Sequence, residues 1–142
     1  MVSMEVQVAV VVGYVSTEEG RAALRRASEE SLLRRTKLIV INSSRGGKNF
    51  DRADALRFEA ELASVQSQLD EAGVEHEVRQ LVRGNDPAED LIEVADEVNA
   101  DFIVIGLRKR TPLGKPFVGS IAQRILLEAS CPVLAVKAGA TN

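Results

Sequence analysis

The stretch of this 142-residue sequence richest in chemistry runs from Gly106 to Ser120. Gly106 opens it, Gly114 interrupts it, and Gly119-Ser120 closes it, just where Val118, Ile121, Ala122, Ile125 and Leu126 set a helical apolar spacing. A helix start carries backbone N–H groups with no intrahelical partner, and the helix dipole adds to their attraction for an anion. Between Gly106 and Leu127 there is no acidic residue, whereas Arg108, Lys109, Arg110, Lys115 and Arg124 are all basic. A chain of net charge −3 that gathers cations on one loop has a local use for them, with phosphate the foremost ligand. A chance run of cations on a solvated loop is the plain alternative.

Other reactive side chains have simpler readings. Cys131 is the single cysteine, so an internal disulfide framework and a cysteine metal site are excluded. It precedes Pro132 at the entry to an apolar run and reads as a buried structural thiol, not a redox sensor. His76 is the single histidine, with no marked nucleophile or acid partner, and reads as an edge-strand or surface residue. Asp86 and Glu89 resemble a carboxylate pair, but helix capping accounts for both. Tyr14 is placed either to stack on a base or to cover the end of a sheet. No arranged nucleophile, base or metal triad is visible, so the sequence predicts no catalytic and no metal residues.

These residues must be held by alternating elements. Val6–Val12 is β-branched and apolar and predicts a strand buried on both faces, followed by Gly13. Ser16 and Glu19 predict a capping box opening a helix whose stripe is Ala23, Leu24, Ala27 and Leu32. Lys37–Ile41 predicts a second buried strand, and Asn42–Asn49 a loop; its Ser43-to-Gly47 part is a flexible connection able to cover a ligand. Residues 51–72 predict a helix with Phe58, Leu62, Val65 and Leu69 inward and Gly73 as its left-handed stop. Val74–Val82 alternates like an exposed edge strand, with Val74, His76 and Val78 on one face. Asn85-Asp86-Pro87 opens a third helix with Ala88, Leu91, Ile92, Ala95 and Val98 inward. Phe102–Ile105 and Val133–Val136 are the remaining strands, the fourth helix lying between them.

The order β-α-β-α-β-α-β-α-β predicts an open five-stranded parallel sheet with helices on both faces, a Rossmann-like α/β fold. Ligands in such sheets bind beyond the carboxyl ends of the strands, where strand order reverses. No linker, repeat or low-complexity block divides residues 1–142, which predicts one domain. Composition is ordinary for a soluble chain, 45% apolar and 27% charged, with no Trp. The negative charge argues against nucleic acid or an anionic membrane as partner. No signal-peptide pattern and no spanning apolar run is present, so the cytoplasm is the expected location.

The segment Ile105-Gly-Leu-Arg-Lys-Arg-Thr-Pro-Leu-Gly-Lys-Pro-Phe-Val-Gly-Ser120, followed by Ala129-Ser-Cys-Pro-Val-Leu-Ala-Val136, resembles the C-terminal half of universal stress proteins. Val10–Gly13 is similar to that family's first strand and Asn85–Ile92 to the start of its third helix, so the likeness spans the chain. In the nucleotide-binding branch, the loop carries Gly, two residues, Gly, nine residues, Gly, then Ser or Thr. Here Lys109 stands at the second glycine, with Gly106, Gly119 and Ser120 in place. Lys109 either blocks close approach of a phosphate, brings an ammonium to it, or points to solvent. Many members carry an acidic residue after the first strand; here Val15 stands there, which cannot hydrogen-bond a ribose or an adenine.

The resemblance implies an adenine nucleotide alpha hydrolase-like fold and a non-catalytic stress-response module binding ATP, with Mg2+ at the phosphates. AMP, a cyclic nucleotide or another anion remains an alternative ligand. Carried over residue by residue, Gly106 begins the phosphate loop, with Arg108, Lys109 and Gly114 in it. Gly119, Ser120 and Ile121 offer N–H groups, and Gly13 with Val40 or Ile41 borders the adenine. The resemblance also implies a homodimer through the apolar last strand, whose open edge invites pairing. The substitutions at Val15 and Lys109 leave open a nucleotide-free member that acts only through protein partners.

Overall fold

The computed structural model describes residues 9–44, 52–82, 84–108 and 118–138. Five strands and four helices alternate: β1 Ala9–Gly13, α1 Glu18–Arg34, β2 Lys37–Ser44, α2 Arg52–Ala72, β3 His76–Val82, α3 Pro87–Glu97, β4 Ala100–Leu107, α4 Ser120–Glu128 and β5 Val133–Lys137. All strand pairs are parallel, in the order β3-β2-β1-β4-β5. The expected α/β architecture is therefore present. The chain lays β2 and β3 to one side of β1 and then crosses to place β4 on the other, so strand order reverses between β1 and β4.

Successive side chains of a strand point to opposite faces, and here both faces are buried. Val10, Val12, Leu38, Val40 and Val104 face Ala23, Leu24 and Ala27 of α1 and Leu62, Val65 and Leu69 of α2. Val11, Ile39, Ile41, Ile103 and Ile105 face Ala88, Leu91, Val94 and Ala95 of α3 and Ile125 of α4. This is why the central strands are nearly continuous β-branched runs. β3 is an edge strand, as its alternation predicts, and Gly73 ends α2 at φ 75°, a left-handed conformation that glycine adopts without a Cβ penalty.

Several sequence expectations are corrected. The helix cap is Thr17, not Ser16: the Thr17 Oγ1 accepts from the Gly20 N–H at 3.1 Å. In α1 Leu32 is exposed, and the inward position is taken by Ser31. Asn42, Ser43 and Ser44 continue β2 instead of forming a loop, because their pairing with β3 runs on through Gln80, Leu81 and Val82. In α4 only Ile125 is fully buried, while Val118, Ile121 and Leu126 are exposed. Residues 6–8 of the expected first strand, and 45–49 of the expected loop, lie outside the described residues. Among the described residues no helix is long and apolar enough to cross a membrane.

Candidate functional site

A cavity of about 530 Å³ opens at the carboxyl ends of β1, β2 and β4, at the point where strand order reverses. Its volume is that of an ordinary small-molecule site. The floor is Gly13, Ile41, Ile105 and Gly106; α3 contributes Pro87 and Leu91, and α4 contributes Ser120, Ile121, Ala122 and Ile125. Tyr14, Val15, Thr17, Glu19 and Gly20 wall it from the β1–α1 side.

The β1–α1 turn is pinned to β2. The Tyr14 N–H donates to the Ile41 carbonyl at 2.9 Å, and Asn42 Nδ2 donates to the Tyr14 carbonyl at 3.0 Å. The Tyr14 ring is buried and its hydroxyl donates to Glu61 of α2. Tyr14 thus covers the end of the sheet, with its hydroxyl committed to α2. Burial first, then the hydrogen bond and charge of Glu61, push its pKa up.

Three helix N-termini surround or adjoin the cavity, and they differ in charge. α1 has its Thr17 cap and Glu18 and Glu19 in the first turn; α3 has Asp86, which accepts from the Ala88 N–H at 2.8 Å, with Glu89 and Asp90 following. α4 begins at Gly119 with no side-chain cap and no acid in its first turn. Its positive dipole end is therefore the one left for an external anion.

Arg108 stands at the same end, 70% exposed, and its Nε lies 3.3 Å from Glu19 Oε2. Glu19 is held below the ordinary carboxylate range by its own backbone N–H first, and then by the Thr17 hydroxyl and Arg108. Arg124, grouped with the loop cations by sequence, is engaged elsewhere. It lies 3.1 Å from Glu89, 3.2 Å from Glu128 and 4.0 Å from Asp86.

Of the residues expected at the site, Gly13, Gly106, Arg108, Gly119, Ser120 and Ile121 all line the cavity. Val40 does not: it faces α1 and α2 on the opposite side of the sheet, and Ile41 is the bordering residue. Lys109 and Gly114 lie outside the described residues. Glu19, Ser43, Pro87 and Leu91 were missed by sequence reasoning, since each reaches the cavity from an element with its own structural explanation. Val15 lines the cavity and is half exposed, an apolar contact at its mouth.

The absence of a side chain at Gly106 serves packing. A Cβ there would lie 2.0 Å from the Glu19 carbonyl oxygen, so the start of α1 sits directly over β4. Cys131 is half-buried, and burial raises its thiol pKa, which keeps it in the unreactive protonated form. His76 opens β3, at the end of the sheet away from the cavity, with Nδ1 2.8 Å from the Val74 carbonyl oxygen. Among the described residues no three His, Cys, Asp or Glu side chains cluster to hold a metal.

The model of the universal stress protein family matches residues 9–137. The chain belongs to that family. A universal stress protein of Mycolicibacterium smegmatis is 44% identical over 90% of this chain and 96% of its own length. Among solved structures, a universal stress protein from Archaeoglobus fulgidus superposes with a TM-score of 0.82 at 37% identity, covering 92% of this chain and 98% of that one. The Archaeoglobus fulgidus universal stress protein solved in complex with dAMP superposes with a TM-score of 0.75 at 30% identity, covering 94% of this chain and all of that one (100%).

Proposed function

We propose that this universal stress protein is a non-catalytic regulatory module that binds an adenine nucleotide in the cavity over β1 and β4. The observation that carries the reading is the cavity's polarity along the sheet. At the β4 side lie Arg108 and the uncapped start of α4, which suit phosphate; at the β2 side lies Ile41, and Leu91 of α3 packs over Gly13 of β1 beside it, which suits an apolar ring. Neighbouring strands are about 4.8 Å apart, so the two ends are separated by roughly 10 Å, about the reach from the base to the 5′-phosphate of a nucleotide. A relative that binds dAMP supports the same ligand class here.

The residues present fit a nucleotide better than a resident metal. Gly119, Ser120 and Ile121 would meet the phosphates through backbone N–H groups, with the Ser120 hydroxyl beside them. Glu19 is the one carboxylate in the described lining, and it is paired with Arg108. Magnesium would therefore arrive on the phosphates of ATP, not on a carboxylate site of the protein. Bound nucleotide would change the surface at this end of the sheet and with it what is offered to partner proteins. The hydroxyls of Thr17 and Ser43 in the lining are engaged structurally, Thr17 at the start of α1 and Ser43 with buried Asp90, and this favours binding without turnover.

We further propose a cytoplasmic homodimer joined through β5. The two sheet edges differ: β3 carries Glu77 and Arg79 and is charge-protected, whereas Val133–Val136 of β5 is apolar and half-buried. The net charge of −3 argues against nucleic acid and anionic membranes as partners.

Calorimetric titration of ligand-stripped protein with Mg-ATP, AMP and pyrophosphate tests the nucleotide reading. Micromolar binding that disappears in Gly119→Val, which places a branched side chain at the start of α4, is the expected result. A folded protein that gives no heat with any nucleotide sinks it in favour of a nucleotide-free interaction protein. Sedimentation of a monomer at tens of micromolar would sink the dimer.

A further inference from the structure

We infer that Glu19 restricts the cavity to nucleotides with a single phosphate group and turns away the longer phosphate chain of ATP. The inference rests on the cavity being the nucleotide site. Glu19 stands in the first turn of α1 and lines the cavity beside Arg108 of the β4 end. Its backbone packs directly on Gly106, which fixes where the residue sits over β4. Its carboxylate accepts from its own backbone N–H and from the Thr17 hydroxyl, and Oε2 lies 3.3 Å from Arg108 Nε. The Thr17 hydroxyl is itself anchored, because its oxygen accepts from the Gly20 N–H. The Glu19 side chain is 20% exposed, that of Arg108 70%.

Within the described lining Glu19 is the one carboxylate and Arg108 the one cation, so the charges of the side chains cancel. What remains for an anion is the start of α4, worth roughly half an elementary charge. That is enough for one phosphate, towards which Arg108 can turn, since an ion pair with so exposed a partner is weak. Glu19 cannot turn away in the same manner. Its hydrogen bonds hold the carboxylate in place and favour its ionised form. Each further phosphate would then meet a fixed, mostly buried negative charge, and like charges in a cavity repel more strongly than in open water.

Calorimetry of the ligand-stripped full chain with adenosine, AMP and ATP, all without divalent metal and at one ionic strength, tests this. The unaltered protein should bind AMP on the order of tenfold more tightly than ATP. Glu19→Gln keeps an oxygen for the N–H and the Thr17 hydroxyl but removes the charge. It should tighten ATP on the order of tenfold, AMP by less, and adenosine by under about twofold. Because Glu19→Gln also frees Arg108, the same exchange is made in an Arg108→Ala protein, where ATP should still gain more than AMP. If Glu19→Gln does not fold, Glu19→Ala takes its place in the comparison. ATP binding more tightly than AMP in the unaltered protein, or equal gains for AMP and ATP on loss of the Glu19 charge, overturns the inference and leaves the nucleotide site standing. No binding of any of the three overturns both.

Discussion

The carbonyl oxygen of Glu19 lies over Gly106, 2.0 Å from where a Cβ on that glycine would stand. The contact joins the first turn of α1 to the end of β4, the two elements that carry Glu19 and Arg108 to the cavity. A second contact of this kind lies beside it: a Cβ on Gly20 would fall 1.8 Å from the Val15 carbonyl oxygen. Both obstacles are backbone atoms, which cannot swing aside. Gly13 differs, since its added Cβ would meet the Leu91 Cδ2, 2.6 Å away at the free end of a side chain.

Alanine substitutions should therefore fall into two groups. Gly106→Ala and Gly20→Ala should each cost about 1–3 kcal/mol or more by overpacking against backbone. Gly13→Ala should cost less, about 1 kcal/mol, because Leu91 can change rotamer. Urea unfolding midpoints at constant slope check the ranking. A Gly106→Ala protein as stable as the parent would show that α1 can lift from β4, and the close contact would lose its meaning.

The two arginines near α4 should separate cleanly. Arg108→Ala should weaken AMP roughly fivefold and adenosine hardly at all, because only AMP carries the charge it answers. Arg124→Ala should leave AMP affinity within about twofold, since its guanidinium is occupied by Glu89 and Glu128. Glu19→Gln should tighten AMP, measured without divalent metal, by removing a negative charge beside the phosphate and releasing Arg108. Calorimetry with the AMP–adenosine pair reads all three. Equal losses for AMP and adenosine in Arg108→Ala would place the phosphate elsewhere.

The alternation of elements and the parallel sheet were legible because β-branched runs such as Val10–Val12 and Leu38–Ile41 are buried on both faces. The cavity's position followed from topology alone. Its side chains were less legible, for reasons that are themselves physical. β2 reads as ending at Ile41 because its apolar run ends there, yet backbone pairing continues through Ser44; strands become polar where they enter a site. That polar extension brings Ser43 to Asp90, which reads in sequence as an ordinary first-turn acid. A charge tally along one segment counts Arg124 as available and cannot see Glu89, which a different helix brings to it. Glu19 was assigned to capping, and the Glu19 carboxylate does bond the α1 start, but the same turn also aims it at Arg108.

The cap itself offers a local test. Thr17→Ala removes the acceptor of the Gly20 N–H and should cost about 1 kcal/mol, whereas Ser16→Ala should cost less, lying outside the helix start. Thermal unfolding of the pair checks it. Equal destabilisation would move the cap back towards Ser16.

Tyr14 gives the pH prediction, and the chain is suited to it, with one Tyr and no Trp. Burial, and then Glu61, raise the phenol pKa in the folded state above the value of about 10 expected for an unfolded chain. For an acid with a raised folded pKa, the stabilisation is fully present below the unfolded pKa and is lost as pH rises above it. Near-ultraviolet absorbance should therefore show no tyrosinate in the native protein at pH about 10, where the urea-unfolded chain is half ionised. Tyrosinate should then appear together with alkaline unfolding. Glu61→Gln removes a charge and a carboxylate acceptor but leaves the burial, so its phenol should titrate earlier than in the parent and still later than in the unfolded chain. A native phenol that titrates at the unfolded value would mean the ring is open to water, and Tyr14 would be free to stack on a base after all.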